Sequence, residues 1–145
     1  MKIIVDENID YDEIEIIVKC QKQDEKIIKI IQFLETNNDT VLCKKNKEIY
    51  KIALDNILYI ESIDEKTFVY VENQIFENSS KLYELENQLQ NRGFVRISKS
   101  SILNLQYLKN VKALINGKYE VTLTNEEKLV VSRKYMPAFK KEFGI

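Results

Sequence analysis

From Thr40 to Ser132 the chain falls into short apolar runs, each soon stopped by a polar turn former. Strands this short bury enough surface only by pairing antiparallel with near neighbours, which confines the chain to a mainly β, α+β fold with short helices. Residues 41–43 turn through Lys44-Lys45-Asn46-Lys47 into residues 49–54, and Asp55-Asn56 turns the chain again. Residues 57–61 form a nearly continuous apolar strand; a charged loop at Asp64-Glu65-Lys66 leads back along residues 67–71, and Asn73-Gln74 turns into Ile75 and Phe76. Asn78-Ser79-Ser80 predicts the cap of a helix to about residue 90, with Leu82, Leu85 and Leu89 on one face and Gly93 as its stop. Asn116-Gly117 predicts a hairpin joining residues 107–115 to 119–123, because both central residues of such a turn need positive φ. Thr124 to Glu127 turn into residues 128–132, and a short helix from about Lys134 closes the chain, with Pro137 tolerated in its first turn.

The first 38 residues read differently. Residues 2–5 and 13–20 are strand candidates, the second alternating Ile14, Ile16 and Val18 with Glu13 and Glu15. Asp24 is an expected N-cap for an amphipathic helix to about Thr36, carrying Ile27, Ile28, Ile30, Ile31 and Leu34 at helical spacing. Through Asp39 this β-β-α segment has 5 Lys against 10 Asp/Glu, a net of −5. It cannot bury its apolar stripe alone, so it packs on the following domain or on a second copy of itself. The polar run Thr36-Asn37-Asn38-Asp39 marks the expected boundary between an extension, 1–38, and a domain, 39–145.

Composition narrows the chemistry. The chain has no His, which excludes Ser-His-Asp and Cys-His nucleophiles and Cys/His zinc sites. Three glycines, Gly93, Gly117 and Gly144, cannot build a phosphate-cradling loop. Glu61, Asp64 and Glu65 are either a carboxylate or metal cluster or a solvated acidic loop, and no other ligand group accompanies them. No enzyme, metal or cofactor is therefore expected. Cys20 and Cys43 read as reduced core residues. No run approaches a membrane span and the N-terminus is too charged for a signal peptide, so a cytoplasmic location is expected. Net charge is −1, but residues 1–90 carry 11 Lys/Arg against 19 Asp/Glu while residues 91–145 carry 11 against 4. The halves differ as −8 against +7, which suggests one surface meant for a polyanion.

Residues 94–104, Phe-Val-Arg-Ile-Ser-Lys-Ser-Ser-Ile-Leu-Asn, run from a strand into a connection rich in hydroxyls with one Lys, the groups that grip phosphates and reach base edges. Upstream stands Ile57-Leu-Tyr-Ile-Glu-Ser62, and downstream Val130-Val-Ser-Arg-Lys-Tyr135. In this order and spacing the three stretches resemble the LytTR family of bacterial DNA-binding domains, over about three quarters of the chain. The resemblance implies stacked, elongated antiparallel sheets meeting double-stranded DNA through loops. Arg133 is then the expected base reader, with a surface ion pair as its alternative role. Lys66, Lys99 and Lys134 are expected on phosphates, joined by Ser98 and Ser100. Thr67 belongs to the first contact loop, Arg96 either braces the turn or reaches a phosphate, and Asn104 braces. Two positions depart from the pattern: Ser98 stands where the family has His, and Thr67 where some relatives place one. The resemblance further implies a transcription regulator binding repeated half-sites as a homodimer. It has too few preceding residues for a receiver domain, with the acidic extension serving dimerisation or docking a membrane-bound inhibitor protein. The competing reading is a protein-interaction module of the same fold with weak or no DNA binding. Single-stranded RNA binding fits less well, because Phe68, Tyr70, Tyr107 and Tyr119 alternate as core residues do.

Overall fold

The computed structural model describes residues 1–35 and 39–145, in two units, Met1–Asn37 and Asn38–Ile145. Of the expected linker, Thr36 to Asp39, residues 36–38 lie outside the described residues.

In the larger unit, the short apolar runs become ten strands: β1 Thr40–Lys45, β2 Glu48–Ala53, β3 Ile57–Ile63, β4 Lys66–Val71, β5 Gln74–Asn78, β6 Phe94–Ser98, β7 Ser101–Asn104, β8 Leu108–Ala113, β9 Tyr119–Leu123 and β10 Lys128–Val131. A seven-stranded sheet has the order β2-β1-β5-β4-β3-β7-β6, and a three-stranded sheet the order β10-β9-β8. Every pairing is antiparallel. Two of the hairpins turn in two residues at positive φ, Asn46-Lys47 (52° and 66°) and Asp64-Glu65 (51° and 65°), the backbone that matches strand twist.

The large sheet is buried on both faces over part of its width. One face, with Ile57, Ile60, Val69, Phe76 and Ile102, packs on helix Leu82–Gln88 through Leu82, Leu85 and Leu89. The other, with Leu58, Tyr59, Val95, Ile97 and Leu103, packs on the small sheet and on helix Met136–Phe143 through Val121, Val131 and Phe139. Residues this deep stabilise by ~1.5–3 kcal/mol each. A bulge in β3 between Ile57 and Tyr59 puts Leu58 and Tyr59 together on the second face while Ile57 and Ile60 serve the first. That is why β3 reads as a continuous apolar run rather than an alternation.

Several expectations need correction. In the smaller unit, residues 2–5 and 13–20 form no strand. A strand exists through its ladder, and here Ile14 and Ile16 lie 92% and 60% exposed with no neighbour to pair against. The helix follows as expected at Glu25–Glu35, and Asp24 caps it, its carboxylate accepting from Ile27 N at 3.0 Å. Cys43 is buried, but Cys20 is exposed rather than in a core. The cap expected at Asn78-Ser79-Ser80 falls at Lys81, with the helix from Leu82, because Asn78 ends β5 and turns its amide inward to Leu42 O. At the β8–β9 connection only Gly117 has positive φ, and the loop is longer than two residues, closed by Leu114 N donating to Lys118 O.

Candidate nucleic-acid interface

The three sequence stretches meet at one end of the larger unit, and main-chain hydrogen bonds hold them there. Ser62 N, near the end of β3, donates to Ser100 O at 2.8 Å in the β6–β7 turn. Ser132 N, just after β10, donates to Ile97 O at 2.8 Å, and its hydroxyl supports the same carbonyl at 3.3 Å. The β6–β7 turn is thus tied on both sides.

The turn itself is braced by Arg96. Its Nε donates to Ser98 O at 2.7 Å and Nη2 to Lys99 O at 2.5 Å, while Nη1 meets Glu86 at 2.5 Å. The guanidinium lies 5.8 Å from the Tyr135 ring centroid, and Lys134 Nζ lies 5.7 Å from the same ring. Of the two roles open to Arg96, the brace is the one formed: its side chain is only 14% exposed. Ser100 N donates to the Ser98 hydroxyl at 3.2 Å, fixing the turn from within. Asn104 braces too, donating to Ile57 O at 2.7 Å while accepting from Gln106 N.

Lys66, Lys99, Ser100, Arg133 and Lys134 are exposed and Ser98 is half-buried. Thr67 does not join them. It is 3% exposed, paired in β4 between Ser62 and Asn78, so its side chain is not available at the surface. Among the described residues Lys66, Lys99, Arg133 and Lys134 form no ion pair, which removes the surface-pair account of Arg133. Unpaired cations beside hydroxyls and main-chain groups are suited to an anion. No group of three or more acidic or Cys side chains among the described residues could hold a metal, so Glu61, Asp64 and Glu65 do not form such a site. Glu61 instead accepts from the Tyr70 hydroxyl at 3.0 Å.

The model of the LytTr DNA-binding domain family matches residues 47–144. The chain belongs to that family. A LytTr DNA-binding domain from Bacillus cereus superposes with a TM-score of 0.70 at 25% identity, covering 74% of this chain and 98% of that one. A sensory transduction protein LytR of Staphylococcus haemolyticus is 31% identical over 112 residues, 77% of this chain. A transcriptional regulatory protein LytR of Staphylococcus aureus is 30% identical over 125 residues, 86% of this chain. The chain spans 44% and 51% of the length of these two relatives. Among the described residues no helix is long and apolar enough to cross a membrane.

Within this LytTr domain, two partners escaped the sequence. Glu86 lies on another element from Arg96, and Tyr135 stands in the sequence only as the last residue of the third stretch. Only the cations near Tyr135 in the chain, Arg133 and Lys134, hinted at a ring with charged neighbours.

Proposed function

We propose that this protein is a sequence-specific, double-stranded DNA-binding transcription regulator that touches DNA through the loops around Ser62, Ser98–Ser100 and Ser132–Lys134. The observation carrying this reading is that three loops tied by two main-chain hydrogen bonds present Lys66, Lys99, Arg133 and Lys134 without ion-pair partners among the described residues. Arg133 reads a base, its planar fork matching guanine O6 and N7 in the major groove. Lys66, Lys99 and Lys134, with the Ser98 and Ser100 hydroxyls, hold phosphates. Arg96 acts through the turn it shapes. The name of the Staphylococcus aureus relative, a transcriptional regulatory protein, supports a role in transcription. Residues 39–145 are the DNA-binding domain. Residues 1–38 are a dimerisation or inhibitor-docking extension, so that two copies engage repeated half-sites and a membrane-bound protein can hold the regulator inactive.

One observation favours a second reading, a protein-interaction module with weak DNA affinity: the first loop carries Asp64 and Glu65, both exposed, beside its single Lys66. Fluorescence anisotropy against duplexes from the protein's own promoter region separates the two. A regulator binds tightly, weakens steeply as salt rises, and loses ~1–3 kcal/mol of sequence discrimination in Arg133→Ala. Absence of binding even at low salt selects the interaction module.

A further inference from the structure

The small sheet sends a second feature to the same end. Its last row is Ala113, Tyr119 and Val131, paired across β8, β9 and β10. Residues 114–118, the β8–β9 loop, and Ser132-Arg133 therefore leave the sheet side by side. They lie close: a methyl built on Gly117 would stand 3.6 Å from Arg133 Cγ and 3.9 Å from Cδ, ordinary contact distance. Gly117 holds φ at +69°, a conformation L side chains rarely adopt, so glycine suits the turn.

The loop beside Arg133 has a composition of its own. Leu114-Ile115-Asn116-Gly117-Lys118 contains no acidic residue, and neither does the stretch from Lys128 to Lys141. Asn116 and Lys118 are exposed, and Lys118 is in no ion pair among the described residues. Ile115 is 101% exposed, as open as a side chain can be, at the tip of a hairpin whose Val111, Tyr119, Val121 and Leu123 lie in or against the core. An isolated exposed apolar residue is ordinary. One at the tip of a loop that carries Lys118 and runs beside Arg133, the proposed base reader, has a matching target: the thymine 5-methyl, the apolar group of the major groove.

We infer that the β8–β9 hairpin tip is a fourth DNA contact, with Lys118 on a phosphate and Ile115 against a thymine methyl next to the base pair read by Arg133. This rests on the DNA-binding reading above and adds a specificity-determining residue to it.

The test uses the full chain and a duplex enriched by the wild-type protein from a random-sequence pool, with anisotropy as readout. Lys118→Ala should reduce the slope of log affinity against log salt by about 1, the mark of one lost phosphate contact. Ile115→Ser should weaken binding by about 5-fold or more. Replacing thymine by deoxyuridine in that duplex should weaken the wild type similarly and leave Ile115→Ser unchanged, since both remove the same methyl contact. Both side chains are exposed, so thermal melting should be unaltered and excludes misfolding. Unchanged affinity and salt slope in the two tip variants, while Arg133→Ala still loses discrimination, would overturn the fourth contact and leave the DNA-binding reading standing. Loss in Ile115→Ser without sensitivity to deoxyuridine overturns the thymine assignment. Failure of the wild type to enrich any duplex overturns both readings together.

Discussion

The guanidinium of Arg96 donates in three directions, and its rigid fork is what lets one side chain fix two successive carbonyls of a turn while meeting a carboxylate. A lysine has the charge without the fork. Arg96→Lys is therefore expected to lower stability by ~1–3 kcal/mol, the cost of leaving partly buried acceptors unmatched. It should weaken DNA binding more than the loss of any one exposed lysine, because the whole Ser98–Ser100 turn loosens. Urea denaturation combined with anisotropy checks this, and a fully stable Arg96→Lys with wild-type binding would show the brace to be dispensable. The sequence marked Arg96 as important and left its role open. What decides the role is Glu86, ten residues upstream on a helix, and no spacing rule links a strand residue to a particular helix position.

Two elements carry strain or charge that can be titrated. The β3–β4 hairpin turns on Asp64 and Glu65 at φ of 51° and 65°. Asp tolerates the left-handed region, whereas Glu in it costs ~1–2 kcal/mol. Glu65→Gly should recover a part of this, ~1 kcal/mol, visible as a raised melting temperature; a lowered one would mean that Glu65 makes a stabilising contact. Behind the hairpin, Tyr59 and Tyr70 stack with centroids 4.2 Å apart. Burial, then the hydrogen bond to Glu61, pushes the Tyr70 phenol up to about 12. Burial and then Glu127 raise Tyr59 still further. The fold thus holds both phenols neutral. This contribution is complete below about pH 10 and is lost as pH climbs from about 10 toward 12, where the unfolded chain releases protons first. Stability measured by denaturant should fall across that window, and Tyr70→Phe should flatten the fall; an equal fall in the variant would assign the effect elsewhere. The strands of this region were legible because turn formers punctuate them. The bulge in β3 was not, since a continuous apolar run is equally the mark of a strand buried on both faces.

For the whole molecule, the larger unit carries two cores and the smaller one leaves Ile3, Ile9, Ile14 and Ile17 exposed. Alternation of Ile and Glu at residues 13–16 is the mark of a strand with one apolar side, and the described residues hold no partner strand for it. That is why strands were expected where none form. If a second copy covers the apolar side, deleting residues 1–38 should turn a dimer into a monomer in sedimentation while leaving the melting of residues 39–145 nearly unchanged. Unchanged mass and unchanged partner binding would remove the extension from both proposed roles. Family membership was legible from three short stretches, because their residues serve the ends of strands that the fold must gather.

The ties between the loops, Ser62 N to Ser100 O and Ser132 N to Ile97 O, use main-chain groups, which every residue but proline supplies in full. The position of each loop is thus largely independent of the side chains it displays. A scaffold of this kind can exchange its outward residues, as at Lys99, without moving the loops that bear them. New preferences can then arise by drift at the tips, one substitution at a time, with the architecture never at stake.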